Sequence, residues 1–277
     1  MSPAGSPSPP QPLVAVRHRR DARHLTKGQL ADFRAAIAAA QAIKDDRGYQ
    51  YWAGIHGLPL PISCTHHTHL FLPWHRAYLY LFEKALQDLV PGVTLPWWDW
   101  TATHALPQIY TTAKQPSNKP NVLLRSPIQQ SARHDTADDV IWPAETYRQP
   151  GGGGALPTAA QLSAVLKNKD FFTFQTQLES LHDGVHMWVG GTMGAIPVAA
   201  YDPVFWAHHC MIDRAWYLWQ LAHPGAQPPA NLLSRALAPF SMTVKDTLDI
   251  ADLGYDYAAG TVAATGPSAN TGGHQHG

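Results

Sequence analysis

Charge is scarce in this chain. Asp, Glu, Lys and Arg make up 14% of its 277 residues, and 20 basic side chains are balanced by 20 acidic ones. No basic stripe stands out, which argues against nucleic acid as a partner. Cysteine is scarcer still: Cys64 and Cys210 alone cannot make the disulfide framework of a small secreted domain. There is no run of about 18 apolar residues, so no membrane-spanning helix is expected. The opening MSPAGSPSPPQPLVAV lacks the apolar segment of a secretory leader. No motif recurs at a fixed period. With 45% apolar residues the chain has material for a substantial core. Its length suits one large domain or two small ones.

What stands in excess is imidazole. Sixteen histidines and ten tryptophans occur in a chain of zero formal charge. Such a histidine excess points to metal binding or proton chemistry. Three stretches concentrate it: SCTHHTHLFLPWHR at 63–76, LHDGVHMWVGG at 181–191 and DPVFWAHHCMIDRAW at 202–216.

Local signals place these stretches on helices and loops. Thr26 with Gln29 is a capping box, opening a helix over about 26–43. A second helix is expected from Pro73 to Leu89, since proline favours the first turn and Pro91–Gly92 stop it. A third covers about 170–189 and ends at Gly190–Gly191. A fourth has Asp202 as N-cap and Pro203 at its first position, and runs to about 222. Residues 100–158, with many Pro and Thr and the Gly151–Gly154 run, read as irregular. So long a loop is usually a functional surface or a cover. The chain divides into a flexible arm at 1–12, one mainly α domain at 13–257 and a disordered tail at 258–277.

The histidine spacings then acquire meaning. His182 and His186 are four apart, on one helix face, and suit two ligands to one ion. His209, on the next helix, adds a third nitrogen. The surroundings are almost wholly apolar, which favours a three-ligand set over one hydrogen-bonded core histidine. His66 and His75 are nine apart and would face opposite ways on one regular helix. Pro73 resolves this: His75 falls in the first turns and His66 on the loop before. His56, in WAGIHGLPLP, sits on an earlier loop or helix end and completes a second set. Neither set brings a bridging carboxylate, so copper or zinc is favoured over magnesium, manganese or di-iron.

The motifs WAGIHGLP, CTHHTHLFLPWHRAYLYLFE, LESLHDGVHMWVGGTMG and YDPVFWAHHCMIDRAW resemble the type 3 copper family of tyrosinases, catechol oxidases and their relatives. LPWWDW at 95–100 looks like the strand after the first copper helix. DLGYDY at 252–257 is similar to the paired-tyrosine motif that closes the catalytic core in plant and fungal members. The resemblance implies a mainly α fold: a four-helix bundle holding a dicopper centre, with long irregular loops and few short strands. It assigns His56, His66 and His75 to the first copper, and His182, His186 and His209 to the second. His208 is not the expected ligand, and His67 and His69 have no counterpart as ligands. Cys64-Thr65-His66 is similar to the fungal pattern in which the cysteine sulfur is joined to the histidine by a thioether. Cys210 is expected to be an inert buried thiol.

The implied function is oxidation of o-diphenols to o-quinones by two copper ions with O2 as co-substrate, with monophenol hydroxylation open. An o-aminophenol oxidase and a hemocyanin-like oxygen carrier are the alternatives. Monophenol-hydroxylating members hold a water with a glutamate and an asparagine. Glu179 stands where some fungal members carry the glutamate, while Asp183 replaces the asparagine after His182. Glu179 otherwise reads as a solvated helix face, and Asp183 as a partner that orients a ligand histidine. Met187 and Ile196 match positions lining the cavity entrance in bacterial relatives. Asp213 either orients a ligand imidazole or pairs with Arg214 or another cation. The chain resembles the short bacterial form, without a covering C-terminal domain or transit peptide. It is expected to be cytoplasmic, or exported with a small copper-loading helper protein. A small phenol is the expected partner, with neither nucleic acid nor membrane.

Overall fold

Thr26 opens the first helix as the spacing predicts. Its side chain accepts the Gln29 N–H while the Gln29 side chain accepts the Thr26 N–H, and α1 runs Lys27–Ala42. The computed structural model describes residues 16–61, 63–115 and 118–258. The arm at 1–12 and residues 259–277 of the tail lie outside them.

Five further helices follow among the described residues: α2 (Tyr49–His56), α3 (Phe71–Leu89), α4 (Ala159–Leu166), α5 (Phe171–Val189) and α6 (Pro203–Ala222). Helix α3 starts two residues before Pro73, which sits in its first turn, where a missing N–H is harmless. Asp170 caps α5 through the Thr173 N–H, and Asp202 caps α6 through the Val204 N–H. Helix α4 was not expected, and of the two readings for His56, loop or helix end, the structure has the helix end, on α2. Strand content is small: β1 (Arg17–Arg19) pairs in parallel with β4 (Tyr255–Tyr257), and β2 (His134–Asp135) pairs antiparallel with β3 (Val140–Ile141). The fold is mainly helical. LPWWDW is not a strand. It makes one parallel bridge, Asp21 to Trp97, and turns at its end, where the Trp100 N–H donates to the Trp98 carbonyl.

Helices α3, α5 and α6 pack on one another. Aromatic rings fill the contacts: Phe82 stacks on Trp206 at 3.8 Å between α3 and α6, and Phe174 on Trp219 at 4.7 Å between α5 and α6. Short α2 joins them through Tyr49, which meets Phe82 and Trp206 edge-on. No helix among the described residues is long and apolar enough to cross a membrane.

The irregular stretch covers the C-terminal end of α5. That end needs acceptors satisfied, and the loop supplies them. Gln149 N–H donates to the Val189 carbonyl and Gly151 N–H to the Trp188 carbonyl; beyond the helix, the Tyr147 carbonyl in turn accepts from the Thr192 N–H. The approach is close enough to demand glycine. A Cβ at Gly153 would lie 2.4 Å from the Met187 carbonyl carbon, and Gly191 has φ +57 with Tyr147 oxygen 2.3 Å from any added Cβ.

Candidate metal centre

The histidines come from four helices and one loop. His56 ends α2, His75 lies in the second turn of α3, His182 and His186 stand one turn apart on α5, and His209 is on α6. His66 lies on the loop before α3. Rings of His56, His66 and His75 are 5.3–5.9 Å apart. The Nε2 atoms of His182 and His186 are each 3.2 Å from His209 Nε2. The two sets touch: His75 stacks on His209 at 4.5 Å.

Backbone and carboxylate acceptors decide which nitrogen is free. His56 donates its Nδ1–H to the Ile196 carbonyl (3.3 Å), His75 to Phe71 (2.8 Å) and His186 to Met193 (2.7 Å). His182 Nδ1 donates to Asp183 Oδ1 at 2.9 Å. That leaves the Nε2 lone pairs for a ligand. The Nε2 atoms of His56 and His75 are buried with no hydrogen-bond partner. One His209 Nε2–H could satisfy only one of the two lone pairs it faces. Two nitrogens bound tetrahedrally at about 2.0–2.1 Å to one ion stand roughly 3.3 Å apart, close to what is observed. Neutral nitrogen sets of this kind fit a copper pair.

His208 joins this cluster, within 4.8 Å of His182, His186 and His209 by ligand atoms. Its ring lies nearly parallel to that of His182, 18° apart at 5.0 Å, so it packs beside His182. Sequence reasoning missed the aromatic supports. Phe71 is 4.7 Å from His75 and Phe205 is 4.1 Å from His209, each pair four apart on its helix. That spacing was the available signal. The three carbonyl acceptors had none.

Burial pushes all six imidazoles down. His66 falls to about 3 and His186 to about 4, and the others lie well below the ordinary value, helped by neighbouring rings. In the metal-free protein the folded state therefore refuses protons that unfolded imidazoles accept near pH 6.5. Its stability should be full above about pH 7 and fall as pH drops from 6.5 towards 4. The expected result is a melting temperature falling by roughly several degrees per pH unit there. A flat profile over that range would count against a neutral buried cluster.

A cavity of about 190 Å³ opens on His56, His66, His182 and His186, lined also by His67, Asp183, Met187, Met193 and Ile196. Met187 is 54% and Ile196 43% exposed at its mouth. Burial raises Asp183 above the ordinary carboxylate value. Glu179 is buried one turn before His182, and its Oε1 accepts the His67 N–H at 2.6 Å. Cys64 Sγ is 3.2 Å from His66 Nδ1, and burial pushes the thiol up to about 12. His67 and His69 are exposed, and Cys210 is a fully buried free thiol. Asp213 touches no ligand histidine ring within hydrogen-bond range. It pairs with Arg76 and Arg19, not with Arg214.

The profile described as the common central domain of tyrosinase matches residues 46–222, which include all six histidines. The chain belongs to the tyrosinase family. It is thereby a member of the type 3 dicopper proteins. A G-type hemocyanin of Enteroctopus dofleini is 31% identical over 272 residues, covering 86% of this chain and 9% of that protein. The tyrosinase of Streptomyces lincolnensis is 35% identical over 195 residues, covering 60% of this chain and 68% of that one. A functional unit from octopus hemocyanin superposes with a TM-score of 0.75 at 29% identity, over 88% of this chain and 68% of that one. The chain spans only 9%, 21% and 42% of three hemocyanins it matches.

Proposed function

We propose that this tyrosinase-family chain is a dicopper oxidase that converts o-diphenols to o-quinones. The observation that carries the reading is the convergence of neutral histidine nitrogens on a cavity with an apolar mouth. His56, His66 and His75 would hold one copper, and His182, His186 and His209 the other. The copper pair, when bound, takes two electrons from each diphenol and passes them to O2. Two catechols and one O2 give two o-quinones and two waters.

The chain's own residues orient the metal ligands and exclude water. The Nδ1–H bonds of His56, His75, His182 and His186 fix those four rings with Nε2 turned to the ligand side. Met187 and Ile196 receive the aromatic ring at the mouth. Asp183 lines the cavity while its Oδ1 keeps hold of the His182 Nδ1–H. Among the described residues no Lys or Arg lines the cavity, so a neutral phenol suits it better than a carboxylated one. The Cys64–His66 contact is where the thioether would form, the Cys S–H and a ring C–H being lost and O2 taking up the two electrons and two protons. Loss of two hydrogens from the 63–76 peptide, with Cys64 resistant to alkylation, would reveal it.

Copper analysis together with oxygen uptake on catechol, o-aminophenol and a monophenol tests the reading. Uptake on catechol supports it. Uptake on o-aminophenol alone favours the aminophenol oxidase. Reversible O2 binding without turnover favours the oxygen carrier. Monophenol hydroxylation should be weak beside diphenol oxidation, because a carboxylate at Asp183 only accepts hydrogen bonds, whereas an amide also donates. Asp183→Asn should raise the monophenol-to-diphenol rate ratio by about tenfold, or ~1.4 kcal/mol in relative barrier, at unchanged copper content. A ratio that stays level or drops would remove this role from Asp183.

A further inference from the structure

His66 differs from the other five histidines because no helix holds it. The residue after it, His67, has φ +53, a left-handed backbone that a non-glycine residue disfavours. Something must fix that turn if His66 is to face the cluster. Helix α5 provides three contacts in order. The His69 ring stacks on Phe172 at 3.8 Å. The Thr68 carbonyl accepts from Gln175 Nε2 at 2.9 Å. The His67 N–H donates to Glu179 Oε1 at 2.6 Å. Residues 172, 175 and 179 recur at helical spacing, and the same stripe continues to His182 and His186.

We propose that Glu179 is a positioning residue: its carboxylate clamps the left-handed turn at His67 and so aims His66 at the metal. The inference rests on the reading of His66 as a copper ligand. It gives Glu179 a role apart from the reacting atoms, and Glu179 is not among the residues that line the cavity. The acceptor is buried and the bond is charge-assisted, so little water competes for the amide. One helix thereby sets both halves of the centre: its C-terminal turns carry two ligands of one copper, and its middle holds the loop ligand of the other.

The test measures copper per chain and the rate of copper release to a chelator, with circular dichroism and melting as folding controls. Glu179→Ala should release copper at least tenfold faster and hold one ion where the wild type holds two. Glu179→Gln keeps an acceptor oxygen and should stay within about threefold of wild type. Adding His67→Gly to Glu179→Ala should restore most of the retention, because glycine adopts φ +53 freely. Wild-type release from Glu179→Ala overturns the proposal, as does a Gln variant as leaky as the Ala variant, or no rescue by glycine. If Glu179→Ala does not fold, the Gln variant carries the test: its small loss must vanish when His67→Gly is added. A wild-type protein that binds no copper would instead defeat the underlying function.

Discussion

His209→Ala should abolish oxygen uptake with catechol and leave no more than one copper per chain. His209 Nε2 is 3.2 Å from both His182 Nε2 and His186 Nε2, so it closes the second set. Its ring also stacks on His75 at 4.5 Å, at the border of the first set. Losing a residue that only orients a ligand typically costs 10–100-fold in affinity or activity. Losing the ligand itself should cost more, leaving a rate below about 10⁻³ of wild type. The hole left beside Phe205 also lowers stability by about 2–5 kcal/mol, so melting must be followed in parallel. His208→Ala is the informative comparison, since His208 lies in the same cluster but packs beside His182. If His209→Ala kept two coppers and normal turnover while His208→Ala lost one, the ligand assignment would pass to His208.

Helices were legible where their ends were punctuated. Thr26 with Gln29, Asp202 with Pro203, and the Gly190–Gly191 stop each act locally, so a short window of sequence contains the whole interaction. Helix α2 stays undecided between loop and helix end in the sequence because it has eight residues, a Gly54 inside it and a Gly48 N-cap without a side-chain bond. Helix α4 carries a local signal of the same kind: Thr158 and Gln161 form the same capping box as Thr26 and Gln29. The spacing of His182 and His186 was legible for the same local reason. The acceptors that set the tautomers were not, because a carbonyl such as Ile196 or Met193 exists at every residue whatever its side chain. Glu179 shows the limit most clearly. Its partner, the His67 amide, is 112 residues away and has no sequence signature.

The partners of Asp213 were equally distant, and they make its replacement the most destabilising change expected outside the histidines. Asp213 Oδ1 accepts from Arg76 Nε at 2.5 Å, and Oδ2 accepts from Arg19 at 3.2 Å, Tyr255 at 2.7 Å and Tyr257 at 2.5 Å. Both arginines are fully buried, and they also lie over the Tyr255 and Trp216 rings. Burial alone would raise the Asp213 pKa, but Arg76 and Arg19 outweigh it and hold the carboxyl below its ordinary value. Asp213→Ala leaves the Arg76 charge without its carboxylate and Arg19 with Glu83 alone. Breaking one side of a buried ion pair costs about 3–5 kcal/mol, or roughly 5–10 °C in melting temperature for a chain of this size. Asp213→Asn should recover little, because an amide nitrogen cannot accept from the donors that Oδ2 now serves. Acid gives an independent reading. A carboxylate whose folded pKa is depressed contributes its full stability above the unfolded value near pH 4, and loses it as pH falls through the folded one. Wild type should therefore lose this stability below about pH 4, while Asp213→Ala has none of it to lose. The damage should also reach the metal centre. Arg76 follows His75 directly and Asp213 lies one turn after His209, so this ion pair ties the two helices at the point where their histidine rings stack. A melting temperature within about 3 °C of wild type, with copper release unchanged, would show that the tyrosines and Glu83 hold the arginines without Asp213.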